Sequence, residues 1–211
     1  FETVPVLTIV NLQELDIMPK KKIRVLTYDP ALSESGFAIL DVDLNKNNMD
    51  INVYQFGSFF TTKIASRAAY KEIREKFGQR IVTLQMLEDQ LMEMFDKYKP
   101  DYVVCEDIFF NPKRPLAFLA LAQWITILEM LMYRKDLPVY KIPTRLAKSC
   151  VSGYGGAGKN TIQEAILHLN NMRFRKKLNL AELTPHAADA IAVGYTFIMQ
   201  GLHEILLQEE A

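Results

Sequence analysis

Three β-rich runs follow one another at 23–29 (IRVLTYD), 36–42 (GFAILDV) and 51–60 (INVYQFGSFF), broken only by short tips rich in turn-forming residues. Such a succession reads as an antiparallel meander. From 63 to 98 the pattern changes to helical spacing, with Ile81, Leu84, Leu87, Leu91, Met94 and Phe95 recurring at threes and fours until Pro100 stops it. A compact apolar strand is expected at 101–106 (DYVVCE), a long helix around Trp124, a short strand at 137–142 (LPVYKI), and helices at 161–169 and from Pro185 to about 207. The order βββ, α, β, α, β, α predicts an α/β fold, because strands reached through helical crossovers lie parallel while the meander stays antiparallel. The expected sheet is therefore mixed and five-stranded, three strands antiparallel and two parallel, flanked by helices.

The chain has 211 residues, 49% of them hydrophobic, which is enough for one domain with a full core and excludes a disordered chain. No repeat or Pro/Gly/Ser linker divides it. Residues 1–22 read as an arm without an assigned role and 23–211 as the domain. Two cysteines, Cys105 and Cys150, give at most one bridge, which a chain of this size does not need, so an intracellular, reduced setting is expected. The opening FETVPVLTIV has Glu2 where a secretory leader carries basic residues, and a start at Phe1 reads as trimmed. Residues 116–133 are apolar enough to suggest a membrane span, but Gln123 and Glu129 would then sit in hydrocarbon without a partner. A buried or interface helix, and no membrane, is the expectation.

With a formal net charge of +0, the chain is not one that holds polyanions by overall attraction. Its basic residues are clustered, however, at Lys20, Lys21 and Lys22, at Lys113 and Arg114, and at Arg173, Arg175, Lys176 and Lys177. Taken singly, each cluster reads as a solvated surface. Gathered by the fold, they would make a positive face.

The acidic residues carry the chemistry. Asp29 ends the first expected strand and Glu106 ends the strand after the helical segment, so two parallel neighbours would deliver both carboxylates to one sheet edge, where open α/β sheets place their ligands. The helix opening TPHAADA adds His186 and Asp189, three apart and on one helical face, with small Ala187, Ala188 and Ala190 allowing close approach. Oxygen ligands around hard divalent ions form the arrangement that drives in-line phosphodiester hydrolysis. Alone, an acid at a strand end is commonly a solvated turn and a single His commonly structural; the combination points to a metal site.

These residues resemble the RuvC family of Holliday junction resolvases, which have the RNase H-like fold. YDPALSESGFAIL at 28–40, PDYVVCEDIFF at 100–110, PTRLAKSCVSGYGGAGKNTIQEAI at 143–166 and HAADAIAVGYTF at 186–197 stand in the order of that family's motifs, over about 23–205. The resemblance implies metal-site roles for Asp29, Glu106, His186 and Asp189, and two Mg²⁺ or Mn²⁺ ions per site. It implies that Lys148 and Lys159 face DNA phosphate near the scissile bond, and that Phe109 stacks on unpaired bases, with Phe110 the alternative; Lys113 and Arg114 are added as DNA-contact candidates. Ala31 stands where the family usually has Gly, and His186 where many members have Asp. The 1–22 arm and the helical length near 61–80 have no counterpart in that pattern.

The expected function is thus a metal-dependent endonuclease that resolves four-way junctions by symmetric paired nicks leaving 5′-phosphates. It would act as a homodimer in contact through the 116–132 helix, at DNA in the cytoplasm or nucleoid of a bacterial or virus-infected cell. A nuclease of flap or branched DNA, or of RNA/DNA hybrids, is the alternative on the same fold. Junction binding without catalysis is a third reading. The rival motif is GYGGAGKN at 153–160, close to a phosphate-binding P-loop, but Asn160 replaces its hydroxyl residue and a helix-like stretch, not a buried strand, precedes it. ATP binding by the purified protein would revive that reading.

Overall fold

The computed structural model describes residues 22–31, 33–45, 48–110, 112–113 and 115–202. Of the expected arm only Lys22 falls within them, and Arg114 lies outside the described residues. The meander forms as β1 (Lys22–Asp29), β2 (Ser35–Asn45) and β3 (Asn48–Phe59), each antiparallel to the last. β4 (Tyr102–Asp107) lies parallel beside β1, and β5 (Val139–Pro143) parallel beside β4. A sixth strand that the sequence did not announce, β6 (Met172–Phe174), adds to the free edge of β3 in parallel, giving the order β5-β4-β1-β2-β3-β6. Three residues are too few to show a period of two; what forms the strand is its neighbour's open edge, starting where the Ile51 N–H donates to the Asn171 carbonyl at 2.9 Å.

Alternation along β1 divides the core. Val25 faces the layer of α5 (Thr144–Ser152), α6 (Lys159–Leu167) and α7 (Pro185–Gln200), while Leu26 and Tyr28 face α3 (Gln79–Tyr98) and α4 (Pro115–Arg134). The 63–98 segment is not one helix. It breaks into α1 (Thr61–Ala65), a 3₁₀ turn, α2 (Lys71–Phe77) and α3, because Gly78 at φ 83° turns the backbone out of the helical region. The Arg74 guanidinium closes the earlier break by donating to the carbonyls of Ala65 and Arg67, both at 2.6 Å.

Among the described residues α4 is the one helix long and apolar enough to cross a membrane. Here it lies on the sheet, with Trp124, Ile125, Leu128, Leu131 and Met132 buried. Glu129 finds a partner in Lys141 at 2.5 Å. The other side of α4 is left bare: Leu116 and Tyr133 are 79% and 85% exposed, with Leu119 and Met130 between them about half exposed.

Candidate active site

The register that pairs Tyr28 with Cys105 leaves Asp29 and Glu106 side by side at the carboxyl end of the two central parallel strands. The residues just before them, Val25 to Tyr28 in β1 and Tyr102 to Cys105 in β4, are buried, so the strand ends are where a carboxylate can reach the sheet edge. Asp29 is nevertheless only 4% exposed. What buries it is α7, whose first turn is pinned against the sheet. A Cβ on Gly36 would overlap the His186 carbonyl, and one on Gly194 would overlap Thr27 and Leu40. Ala187, Ala188 and Ala190 are buried in the same contact. Thr184 caps the helix by accepting from the Ala187 N–H at 3.2 Å, and its hydroxyl also meets Ser58 at 2.9 Å.

So held, α7 sets His186 Nδ1 2.8 Å from Asp29 Oδ2. A neutral imidazole whose Nδ1–H donates to the carboxylate leaves Nε2 as its free electron pair, the usual division of labour for an oriented histidine. Asp189, one turn along, lies close enough to Glu106 to feel its charge.

The electrostatics report crowding. Burial, with the nearby Asp189 charge adding to it, pushes the Asp29 carboxyl up to about 7. Burial, a hydrogen bond to Asp29 and that group's charge push Glu106 up to about 8. Burial and the Glu106 charge push Asp189 up to about 6. Lys148 pulls all three values the other way and Lys159 those of Asp29 and Asp189, so both ammonium groups bear on this cluster. Lys148 comes from α5, its Nζ donating to the Ala157 carbonyl at 3.2 Å, and Lys159 opens α6. Thr144, at the start of α5, hydrogen-bonds Glu106 and lowers its pKa. That contact was not read from the sequence, although the pairing of β5 with β4, Glu106 opposite Ile142, places Thr144 at the same edge.

Three carboxylates and an imidazole gathered at one sheet edge make an oxygen-rich donor set of the chemistry that suits a hard divalent cation. As placed, no three His, Cys, Asp or Glu side chains among the described residues surround an ion-sized point. Glu106 instead hydrogen-bonds Asp29. The chemistry of these side chains fits such a cation, whose charge would offset theirs.

Around the cluster, Phe109 is 70% exposed, which removes core packing as its reason for being there. Phe110 packs edge-on against Phe118, centroids 5.4 Å apart, so it is the more anchored of the two. Phe109 lines a cleft of about 230 Å³ with Glu106, Ile108, Phe118, Leu121 and Thr144. Lys113 is exposed in the turn that follows. The glycine-rich loop is preceded by α5, with Gly153 at φ 77° ending that helix, so it lacks the strand a P-loop requires.

A family model for crossover junction endodeoxyribonuclease RuvC matches residues 25–197. The chain belongs to the RuvC family. The RuvC of Finegoldia magna is 29% identical to it over 176 residues, covering 83% of this chain and 92% of its own. That of Caldicellulosiruptor saccharolyticus is 27% identical over 190 residues, covering 89% and 98%. Among solved structures, Thermus thermophilus RuvC in complex with a Holliday junction substrate matches with a TM-score of 0.61 at 14% identity, covering 85% of this chain and 97% of that one. At that identity the likeness speaks for the fold alone. This RuvC protein is accordingly a crossover junction endodeoxyribonuclease of a metal-dependent family, with its acidic cluster at the expected edge.

Proposed function

We propose that this RuvC protein cuts four-way DNA junctions at the Asp29, Glu106, His186 and Asp189 cluster, by paired nicks that leave 5′-phosphates. The observation that supports the assignment to these residues is that acids from β1, β4 and α7 lie close enough at one sheet edge to raise one another's pKa values, on top of the effect of burial. Asp29, Glu106, Asp189 and the Nε2 of His186 would hold two Mg²⁺ or Mn²⁺ ions. When bound, such ions polarise a phosphodiester and ease formation of a nucleophilic hydroxide.

The protein's own groups do the rest. Lys148 and Lys159, on either side of the glycine-rich loop, neutralise the phosphate that must approach three carboxylates. Where Nε2 is not engaged by an ion, His186, oriented by Asp29 through Nδ1, would accept or release a proton there. Phe109 offers an exposed aromatic face beside the site on which a base that has lost its neighbour can stack. Lys113, and Arg114 next to it in sequence, would contact the backbone beyond. Paired nicks need two sites related by a two-fold axis, and the bare face of α4 is suited to an isologous dimer. The setting that follows is intracellular, at DNA.

Side-by-side assay of four-way junctions, flaps, linear duplex and RNA/DNA hybrids in Mn²⁺ tests the reading. Junctions are expected to be cut first and symmetrically, and preferential cutting of flaps or hybrids would replace the resolvase assignment with the alternative.

A further inference from the structure

The charge run RFRKK at 173–177 has no part in the site just described. Its first residues form β6, and parallel pairing with β3 sets Arg173 beside Asn52 and Phe174 beside Val53. Phe174 turns to the core and meets Phe56 edge-on. Arg175 turns to the opposite side, its guanidinium 3.8 Å from the centre of the Tyr54 ring. On that side the sheet beyond β1 carries an open trough between the end of α3 and β6. Its two continuous clefts are lined by six basic residues, Lys22, Arg24, Lys97, Lys99, Arg173 and Arg175, against three acids, Asp41, Asp43 and Asp101.

The acids are already engaged. Asp41 accepts two hydrogen bonds from the Arg24 guanidinium, at 2.6 and 2.8 Å, Asp43 lies 3.7 Å from Lys22, and Asp101 accepts the Arg24 backbone N–H at 2.7 Å. Among the described residues, Lys99, Arg173 and Arg175 have no acidic partner within salt-bridge distance. Lys176, by contrast, is neutralised by Glu182 at 2.6 Å. The surplus charge is therefore positive, open to solvent and arranged along two banks.

The trough also leads somewhere. β3 and β6 run in the same direction as β1, so the chain from Arg173 onward climbs the sheet's edge toward the acidic end, where Thr184 meets Ser58 and α7 begins. From Lys22 to Asp29 the sheet is about 23 Å long at roughly 3.3 Å per residue. That equals about seven base pairs of duplex, at about 3.4 Å each.

We propose that this trough is a second DNA-binding surface, a rail that holds the phosphate backbone of one duplex arm about seven base pairs from the cut. The inference rests on the nuclease reading and adds a footprint to it. Planar guanidiniums and lysines on two banks suit a repeating phosphate backbone, and Tyr54 keeps Arg175 extended across the floor.

The test compares junctions whose arms are about 6 or about 15 base pairs long, the short ones closed by hairpins, because only the longer arm reaches the trough. Binding is measured in Ca²⁺ over a salt series and cleavage in Mn²⁺, for the wild type, Arg173→Ala/Arg175→Ala and Arg173→Lys/Arg175→Lys. For the alanine pair we expect roughly tenfold weaker binding to long arms and a salt slope shallower by about 2, as two lost phosphate contacts require. Short-arm binding and cutting should be unchanged, and the lysine pair should restore most of the long-arm affinity. Equal long-arm affinity and slope for wild type and alanine pair would overturn the rail while leaving the nuclease intact. So would an equal loss on short and long arms, or tight capture of an acidic peptide in place of duplex. Absence of any junction cutting by the wild type would overturn the functional reading itself.

Discussion

Removing the charge of Asp29 should make the metal-free protein more stable while ending its activity. In the folded chain Asp29 titrates at about 7 where an ordinary carboxyl titrates at 3.8, and Glu106 at about 8 instead of 4.5. The folded state thus holds more protons than the unfolded chain across that window, and stability without metal falls as pH rises through it. At about 1.36 kcal/mol per pH unit, burying an ionised Asp29 costs on the order of 4 kcal/mol well above pH 7. Asn at this position removes the charge but also weakens the contacts to His186 and Glu106, so a net gain of about 2 kcal/mol is expected, or roughly 4 to 8 °C in Tm for a domain of this size. The assay is thermal unfolding of wild type and Asp29→Asn in EDTA at about pH 5 and about pH 8.5, where roughly 40% and nearly all of that penalty are expressed, the smaller share being offset by the contacts Asn weakens. The gain should be present at the higher pH and nearly absent at the lower. Added Mn²⁺ should raise the wild-type Tm at the higher pH and leave the variant unmoved. An Asn variant no more stable than wild type in EDTA at the higher pH would refute the idea that the site crowds unneutralised charge.

Asp29→Asn and Glu106→Gln should abolish cutting yet keep junction binding, measured by gel shift in Ca²⁺; residual cleavage by either would remove that residue from the site. Gly36→Ala forces the start of α7 outward, so it should cost about 1 to 3 kcal/mol in urea unfolding. Its cleavage rate should fall further than stability alone accounts for, because His186 moves with the helix. Because an imidazole replaces one carboxylate, Mn²⁺ should support cleavage at least as well as Mg²⁺ at matched pH, and a clear preference for Mg²⁺ would argue against His186 as a ligand. Leu119→Glu on the bare side of α4 should yield a monomer by light scattering that no longer makes paired nicks.

Much of this was legible in the letters because the site depends on strand ends. Asp29 and Glu106 could be placed together from two apolar runs and the rule that crossover strands lie parallel, and the spacing of His186 and Asp189 needs only a helix. The small residues around them signalled a close approach, but Gly36 and Gly194, which enforce it, look like ordinary glycines until the opposing atoms are known. β6 escaped because a three-residue strand carries no periodicity and owes its existence to an edge formed more than a hundred residues earlier. The break at Gly78 escaped for the opposite reason: the apolar spacing continues across it, and only the backbone turns. Thr144 was hidden because its partner is defined by sheet register, which no local pattern records.

One consequence of α7 concerns synthesis. Half of the four-residue cluster rides on a helix that leaves the ribosome after every strand of the sheet has already emerged. A partly made chain that pairs β1 with β4 would bring Asp29 to Glu106 while still lacking His186 and Asp189. On the proposed assignment, competence to sever DNA would then arise in a single late step, when α7 docks.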